Sequence, residues 1–145
     1  MFPEVAGLVA QIDSVGEPIT IQGFKRFEAR TRDWGNYPVI QRDEIASVEG
    51  LLFRELTEKQ LAKLDWYEDV DHGLYVREQV QHKHGGKTLD VQLYVCGPAL
   101  ERRLLEPLSK PWDPVVFRKN ELDRYLNEIV LPTIGSDVFK STFNA

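Results

Sequence analysis

The chain is poor in the residues that make the commoner metal, redox and polyanion sites. It has a single cysteine, Cys96, in 145 residues. An internal disulfide and a thiolate zinc cage are therefore excluded, and the composition suits a reducing compartment. It lacks a basic excess: 18 Lys and Arg stand against 23 Asp and Glu, for a net charge of -5. Phosphate binding needs clustered cations to release counterions, so nucleic acid is not expected as a partner. No apolar run approaches the length of a membrane span, and Met1 is followed by Phe2, Pro3 and Glu4 rather than by a basic and apolar leader. Together these point to a cytoplasmic protein without a membrane partner. Repeats, low-complexity tracts and long linkers are also missing.

What the chain does have is the make-up of one globular domain. Hydrophobic residues form 42% of it and charged residues 28%, with Trp34, Trp66 and Trp112 spread along its length. A chain of this size buries roughly two thirds of the surface its unfolded form exposes.

Local patterns predict an α+β order. Val5, Leu8 and Val9 behind Pro3 read as a short helix from Pro3 to Gln11. Ile19 to Ala29 alternates as a strand, broken by Gly23, which marks either a bulge or a close backbone approach. Trp34 to Pro38 is turn chemistry and leads into a brief apolar run, Val39-Ile40. Val48 to Leu56 is apolar nearly throughout and predicts a strand buried on both faces. Thr57 and Gln60 form a capping box for a helix whose stripe carries Leu61, Leu64 and Glu68. An acidic turn, Asp69 to Gly73, precedes two strands, Leu74 to Lys83 and Thr88 to Cys96, joined by a Gly85-Gly86 hairpin turn. Pro98 to Lys110 is ambiguous. A second strong helix begins at Asp113-Pro114, with Val115, Leu122, Leu126 and Ile129 as its apolar face and Pro132 and Gly135 as its end. The domain is expected over 1–131, and 132–145 is expected to be a C-terminal tail whose last ten residues show no pattern.

Glu68 is the residue best placed for chemistry. A carboxyl on the stripe that buries Leu61 and Leu64 turns inward, where desolvation and the negative end of the helix both raise its pKa towards general acid/base use. Spacing alone leaves a second role open, in which Glu68 ends the helix and pairs with Arg77 or a backbone donor.

A resemblance bears on that choice. Val48-Glu49-Gly50-Leu51-Leu52-Phe53, Leu64-Asp65-Trp66-Tyr67-Glu68, Tyr75-Val76-Arg77 and Gln92-Leu93-Tyr94-Val95 occur in the order and spacing of the gamma-glutamylcyclotransferase-like proteins. Gly23 to Phe27 and Tyr37-Pro38 resemble that family's front half. Trp112, Phe117 and Leu122 to Leu126 resemble the ending of many bacterial members.

The resemblance implies a small, mostly antiparallel β-barrel flanked by helices, around a cavity for a γ-glutamyl group. It implies a transferase or lyase reaction without metal or organic cofactor: the group cyclises to 5-oxoproline and releases an amine or amino acid. It makes Glu68 the acid/base catalyst and gives Tyr75 a substrate-binding position; Tyr37 and Tyr94 are further substrate-binding candidates, and for Asp65 three roles stay open: orienting Glu68, competing with it for a proton, or supporting the helix end. The family's Tyr-Gly-Ser/Thr-Leu strand and loop, which grips the substrate, does not occur in these residues. Met1-Phe2-Pro3-Glu4 resembles the segment just after that loop, so either the natural protein is longer or it lacks the first strand. A barrel without that strand would leave edges bare, which favours the longer protein.

Two functions are thus in view. One is the cyclisation; the alternative is a non-catalytic domain that binds a small molecule or a protein on the same barrel, self-association through a bare strand edge being its simplest form. Tyrosines on strands also serve packing alone. His82 and His84 share a strand face as a metal pair would, but read as solvated edge residues; Asp65, Asp69 and Asp71 lack the spacing of a calcium loop; Cys96 reads as an inert core thiol.

Overall fold

A computed structural model describes residues Met1 to Asn144. They form two compact units. One contains Met1–Gly16, Phe53–Leu64 and the chain from Asp113 onward, and the other Glu17–Leu52 and Asp65–Trp112.

The first unit is helical. α1 (Pro3–Ala10) buries Val5, Ala6, Val9 and Ala10, and Gln11 closes it in the left-handed region. Leu8, expected on the apolar face, is exposed. The capping box forms: Thr57 N–H donates to Gln60 Oε1 at 3.0 Å, and Gln60 N–H to Thr57 Oγ1 at 3.2 Å. It starts α2 (Glu58–Tyr67), whose last three residues belong to the second unit. Lys63 on α2 is buried and donates to Gln11 Oε1 at 3.2 Å.

Asp113 caps α4 (Pro114–Asn120), accepting from the N–H groups of Val115 and Val116. The expected single helix is interrupted here. Glu121 leaves helical geometry before α5 (Leu122–Tyr125), and a π-helical turn (Leu126–Val130) precedes α6 (Leu131–Gly135). Pro132 thus does not end the helical run. It supplies no N–H, and its ring crowds the carbonyl four residues back, a conflict that a widened turn relieves. The buried face is Phe117, Leu122 and Val130, whereas Val115 is exposed. Beyond it lies α7 (Asp137–Phe143), in a stretch expected to be a patternless tail. Ser136 caps it by accepting from Phe139 N–H at 3.2 Å.

The second unit contains the strands. β1 (Glu17–Ala29) pairs antiparallel with β2 (Tyr37–Leu52), from Glu17 opposite Leu52 to Ala29 opposite Tyr37. A bulge falls at Gly23, at φ 87°, where the register shifts. On β2 the excess residues lie between Arg42 and Ser47, and Ile45 among them is fully exposed. Val39-Ile40 and Val48 to Leu52 are therefore one strand. Its Val48 end is not buried on both faces: Val48 is buried, but Glu49 and Gly50 are exposed, because the strand belongs to a hairpin with one face outward. Phe53 to Leu56 lie outside it.

β3 (Tyr75–His84) and β4 (Lys87–Cys96) form the second hairpin, in register from Tyr75 opposite Cys96 to His84 opposite Lys87. Gly85 and Gly86 at φ 56° and 78° supply the tight turn. The hairpins share an apolar core of Ile19, Ile21, Phe24, Val48, Val91 and Val95. A second cluster joins Ala29, Val39 and Leu100, the last from α3 (Pro98–Arg103), with Tyr37, Tyr75 and Cys96 against it.

The fold is α+β with two antiparallel two-stranded sheets. A closed barrel is not formed among the described residues. Closure needs a ladder on both sides of every strand, whereas each strand here has one, apart from an isolated bridge between Phe27 and Pro111. No helix among the described residues is long and apolar enough to cross a membrane.

Candidate active site

Glu68 stands one residue past the end of α2, at the mouth of a closed loop that runs to β3. Asp69 adopts φ 52°, a 3₁₀ turn spans Val70–His72, and Gly73 comes next at φ 71°. Leu74 N–H donates to Asp69 O at 3.1 Å and Tyr75 N–H to Glu68 O at 3.3 Å, so the two ends of the loop are bonded together. The start of α3 holds it from the other side: Gly97 N–H donates to Leu74 O and Ala99 N–H to Gly73 O, both at 2.9 Å. Only glycine allows that approach, because a Cβ at position 97 would lie 2.3 Å from Gly73 O and 2.6 Å from Leu74 O. The backbone beneath Glu68 is thereby fixed on both sides.

Glu68 is half-buried, and the burial of its carboxyl pushes its pKa up to about 7, with the negative charge of Asp65 acting in the same direction. Asp65 precedes it by three residues, one helical turn, and so shares its face.

Arg77, the alternative partner of Glu68, is committed elsewhere. Its Nη1 lies 3.0 Å from Asp65 Oδ2 as an ion pair. Tyr94 Oη donates to the other oxygen, Asp65 Oδ1, at 2.8 Å. Burial first, then this bond and the charges of Asp65 and Glu68, hold the Tyr94 phenol well above its ordinary pKa, with Arg77 opposing them. Tyr94 is accordingly a fixed proton donor. The structure thus brings together Glu68, Asp65, Arg77 and Tyr94, a carboxyl with a perturbed pKa beside a carboxylate engaged by a cation and a phenol.

The other tyrosines are placed differently. Tyr75 shares the loop mouth with Glu68 through its backbone, while its hydroxyl donates to Pro38 O at 3.2 Å. Tyr37 opens β2 and packs with Tyr75 in the apolar cluster, 6.5 Å from the Trp34 ring between centroids. Its phenol pKa is raised, chiefly by burial and further by Asp33, against Arg103. Sequence reasoning gives Asp65 a background role and does not single out Gly97. The spacing of Asp65 and Glu68 is a signal for the first. Nothing in the sequence announces the second, which depends on contact between distant segments.

The remaining candidates fall into simpler roles. Burial raises the thiol pKa of Cys96, with Glu101 adding to it and the Gln41 side chain opposing, and the residue packs in the apolar cluster. Asp69 engages His72 Nδ1 at 2.5 Å, a bond that also raises the pKa of this exposed histidine, and so the acidic loop closes on itself. Among the described residues no group of three or more His, Cys, Asp or Glu side chains is gathered as a metal site.

Comparison with curated proteins and with solved structures finds no match. A family model described as gamma-glutamyl cyclotransferase, AIG2-like, matches residues 1–114, most of the chain and every residue of the site just described. The chain belongs to that family.

Proposed function

We propose that the protein cyclises a γ-glutamyl amine or γ-glutamyl amino acid to 5-oxoproline, with Glu68 as general acid and base. The observation that carries this reading is the carboxyl of Glu68, raised by burial to a pKa of about 7; it lies in the Leu64-Asp65-Trp66-Tyr67-Glu68 segment that resembles the family's acid/base segment, inside the range the family model matches. An α-ammonium group has a pKa of about 8. A carboxylate titrating about one unit lower takes its proton with little penalty and releases it again readily.

In this mechanism Glu68 removes a proton from the α-ammonium and the freed amine attacks the γ-carbonyl carbon. A C–N bond forms to close the five-membered ring, and the C–N bond to the leaving nitrogen breaks. Overall the α-nitrogen loses two protons and the leaving nitrogen gains two, with Glu68 carrying them one at a time. No water is consumed. Because the nucleophile is part of the substrate, holding it folded supplies much of the acceleration.

Asp65 is engaged by Arg77 and Tyr94, and its charge raises the proton affinity of Glu68. Tyr94, Tyr75 and Tyr37 are proposed as substrate contacts, and the two hairpins as walls of the family's barrel.

The test is 5-oxoproline release from a panel of γ-glutamyl amines and amino acids, by the chain itself and with a Tyr-Gly-Ser/Thr-Leu strand and loop joined ahead of Met1. Product that disappears in Glu68→Gln supports the mechanism. Absence of product from both proteins, or full activity in Glu68→Gln, overturns it. Ligand binding that survives Glu68→Gln without turnover would instead favour the binding-domain reading.

A further inference from the structure

The far end of β3 carries an independent feature. His82 and His84 are two residues apart on a strand and so project from the same face. Their ring centroids are 6.2 Å apart. Glu17, at the start of β1, reaches the same place, with its Oε2 3.5 Å from His84 Nε2. Both histidines line an open cleft of about 490 Å³ together with Thr20, Glu49 and Gly50.

We propose that His82, His84 and Glu17 bind one divalent transition-metal ion of the zinc class, with solvent as the remaining ligand. Two donors about 2.1 Å from one ion, at the tetrahedral angle, stand roughly 3.4 Å from each other. His84 Nε2 and Glu17 Oε2 have nearly that separation already. It is long for a hydrogen bond but suits two ligands of a shared cation.

Two imidazoles on the same ion have centroids roughly 5 to 6 Å apart, given ordinary zinc–nitrogen bonds, so His82 has only to rotate its side chain inward. Binding completes the ligand set, since three ligands are not already gathered there among the described residues. The cleft is wide enough for the ion with its water, and Glu49 adds negative charge to its wall. Two cations oppose the metal: Lys87, the ladder partner of His84, is exposed and its flexible arm can turn to solvent, and Arg26 offsets part of the Glu49 charge.

Imidazole and carboxylate donors without thiolate select zinc, nickel, cobalt or copper rather than calcium or magnesium. From Tyr75 to His84 the strand extends roughly 30 Å, so this site is remote from Glu68 and stands or falls without the cyclisation.

The experiment is isothermal titration of the chelator-treated full chain with zinc chloride, alongside visible absorption of the cobalt(II) form. The expected result is one equivalent bound with a micromolar Kd, and a cobalt spectrum of tetrahedral intensity. His84→Gln and His82→Gln should each weaken binding at least about tenfold, and Glu17→Gln severalfold. These are surface positions on a hairpin, and circular dichroism checks that each variant folds. Absence of zinc binding at millimolar concentration, or zinc binding that the His82→Gln/His84→Gln double variant retains, overturns the proposal.

Discussion

Replacing Glu68 by Gln should stabilise the protein, and do so only above mildly acidic pH. The sign depends on where the proton is bound. In the unfolded chain the carboxyl titrates near 4.5, whereas in the folded chain burial and Asp65 raise it to about 7. Below pH 4.5 the group is protonated in both states and contributes no difference. As pH rises towards 7 the unfolded state ionises freely while the folded state resists, so folding is progressively disfavoured.

Once both forms are ionised, the gap between those two values, at 1.36 kcal/mol per decade, costs the fold about 3.4 kcal/mol. Between pH 5 and pH 8 the linkage relation makes the loss about 2.5 kcal/mol. That is a large fraction of the roughly 5–15 kcal/mol that holds a domain of this size. Glutamine resembles the protonated acid in shape and cannot ionise, so the variant escapes the loss.

Urea unfolding of wild type and Glu68→Gln at several pH values from 5 to 8 measures the difference directly. The two stabilities should diverge by roughly 2 to 3 kcal/mol in favour of the variant as pH rises. Curves that stay parallel within about 0.5 kcal/mol would mean that Glu68 is hydrated and ordinary, and the acid/base assignment would lose its physical basis. A group that weakens the fold is what the proposed acid/base role would lead one to expect, as a trade between activity and stability.

The same geometry fixes three further outcomes. Asp65→Asn removes a neighbouring negative charge and should lower the Glu68 pKa, which carboxyl carbon NMR titration of the folded protein reads directly; an unchanged midpoint would remove Asp65 from the site. Gly97→Ala forces a Cβ against Gly73 O and Leu74 O, so the loop or α3 must shift, at a cost of about 1–3 kcal/mol in urea unfolding, and activity should fall with it; wild-type stability would contradict the close approach. Thr57→Ala removes the hydroxyl that accepts from Gln60 N–H and should cost about 1 kcal/mol, while Thr57→Ser should retain most of it in the same assay.

The features legible in the sequence are largely local ones. The capping box at Thr57, the Asp113 cap, the bulge at Gly23 and the Gly85-Gly86 turn each depend on a few adjacent residues, and each is found. Elsewhere, distant segments or conflicting local signals decide. Val48 to Leu56 reads as a strand buried on both faces because the apolar run reveals neither which face the hairpin turns outward nor that the strand ends at Leu52. Pro132 reads as a helix end because a π-helical turn that absorbs it has no simple sequence signature. The cap at Ser136, with Phe139 and Phe143 one turn apart, is by contrast a readable local signal for α7, obscured only by the short polar run around it.

The site divides along the same line. Helical spacing is enough to turn Glu68 inward, but it leaves the destination of Arg77 open, and that destination decides what Glu68 can do. An Arg77–Glu68 ion pair would favour the ionised carboxylate and lower its pKa, leaving a poor proton carrier at neutral pH. In the structure Arg77 lies against Asp65, and Tyr94 donates to the same carboxylate. The cation and the phenol thus engage a neighbour whose charge then works on Glu68 in the opposite sense. Two carboxyls three residues apart acquire different surroundings: Asp65 is engaged by a cation and a phenol, while desolvation raises the pKa of Glu68 to about 7, and a carboxyl tuned to that range is what acid/base chemistry near neutral pH requires. The arrangement depends on β3 and β4 meeting the end of α2, a contact between segments that no local pattern encodes.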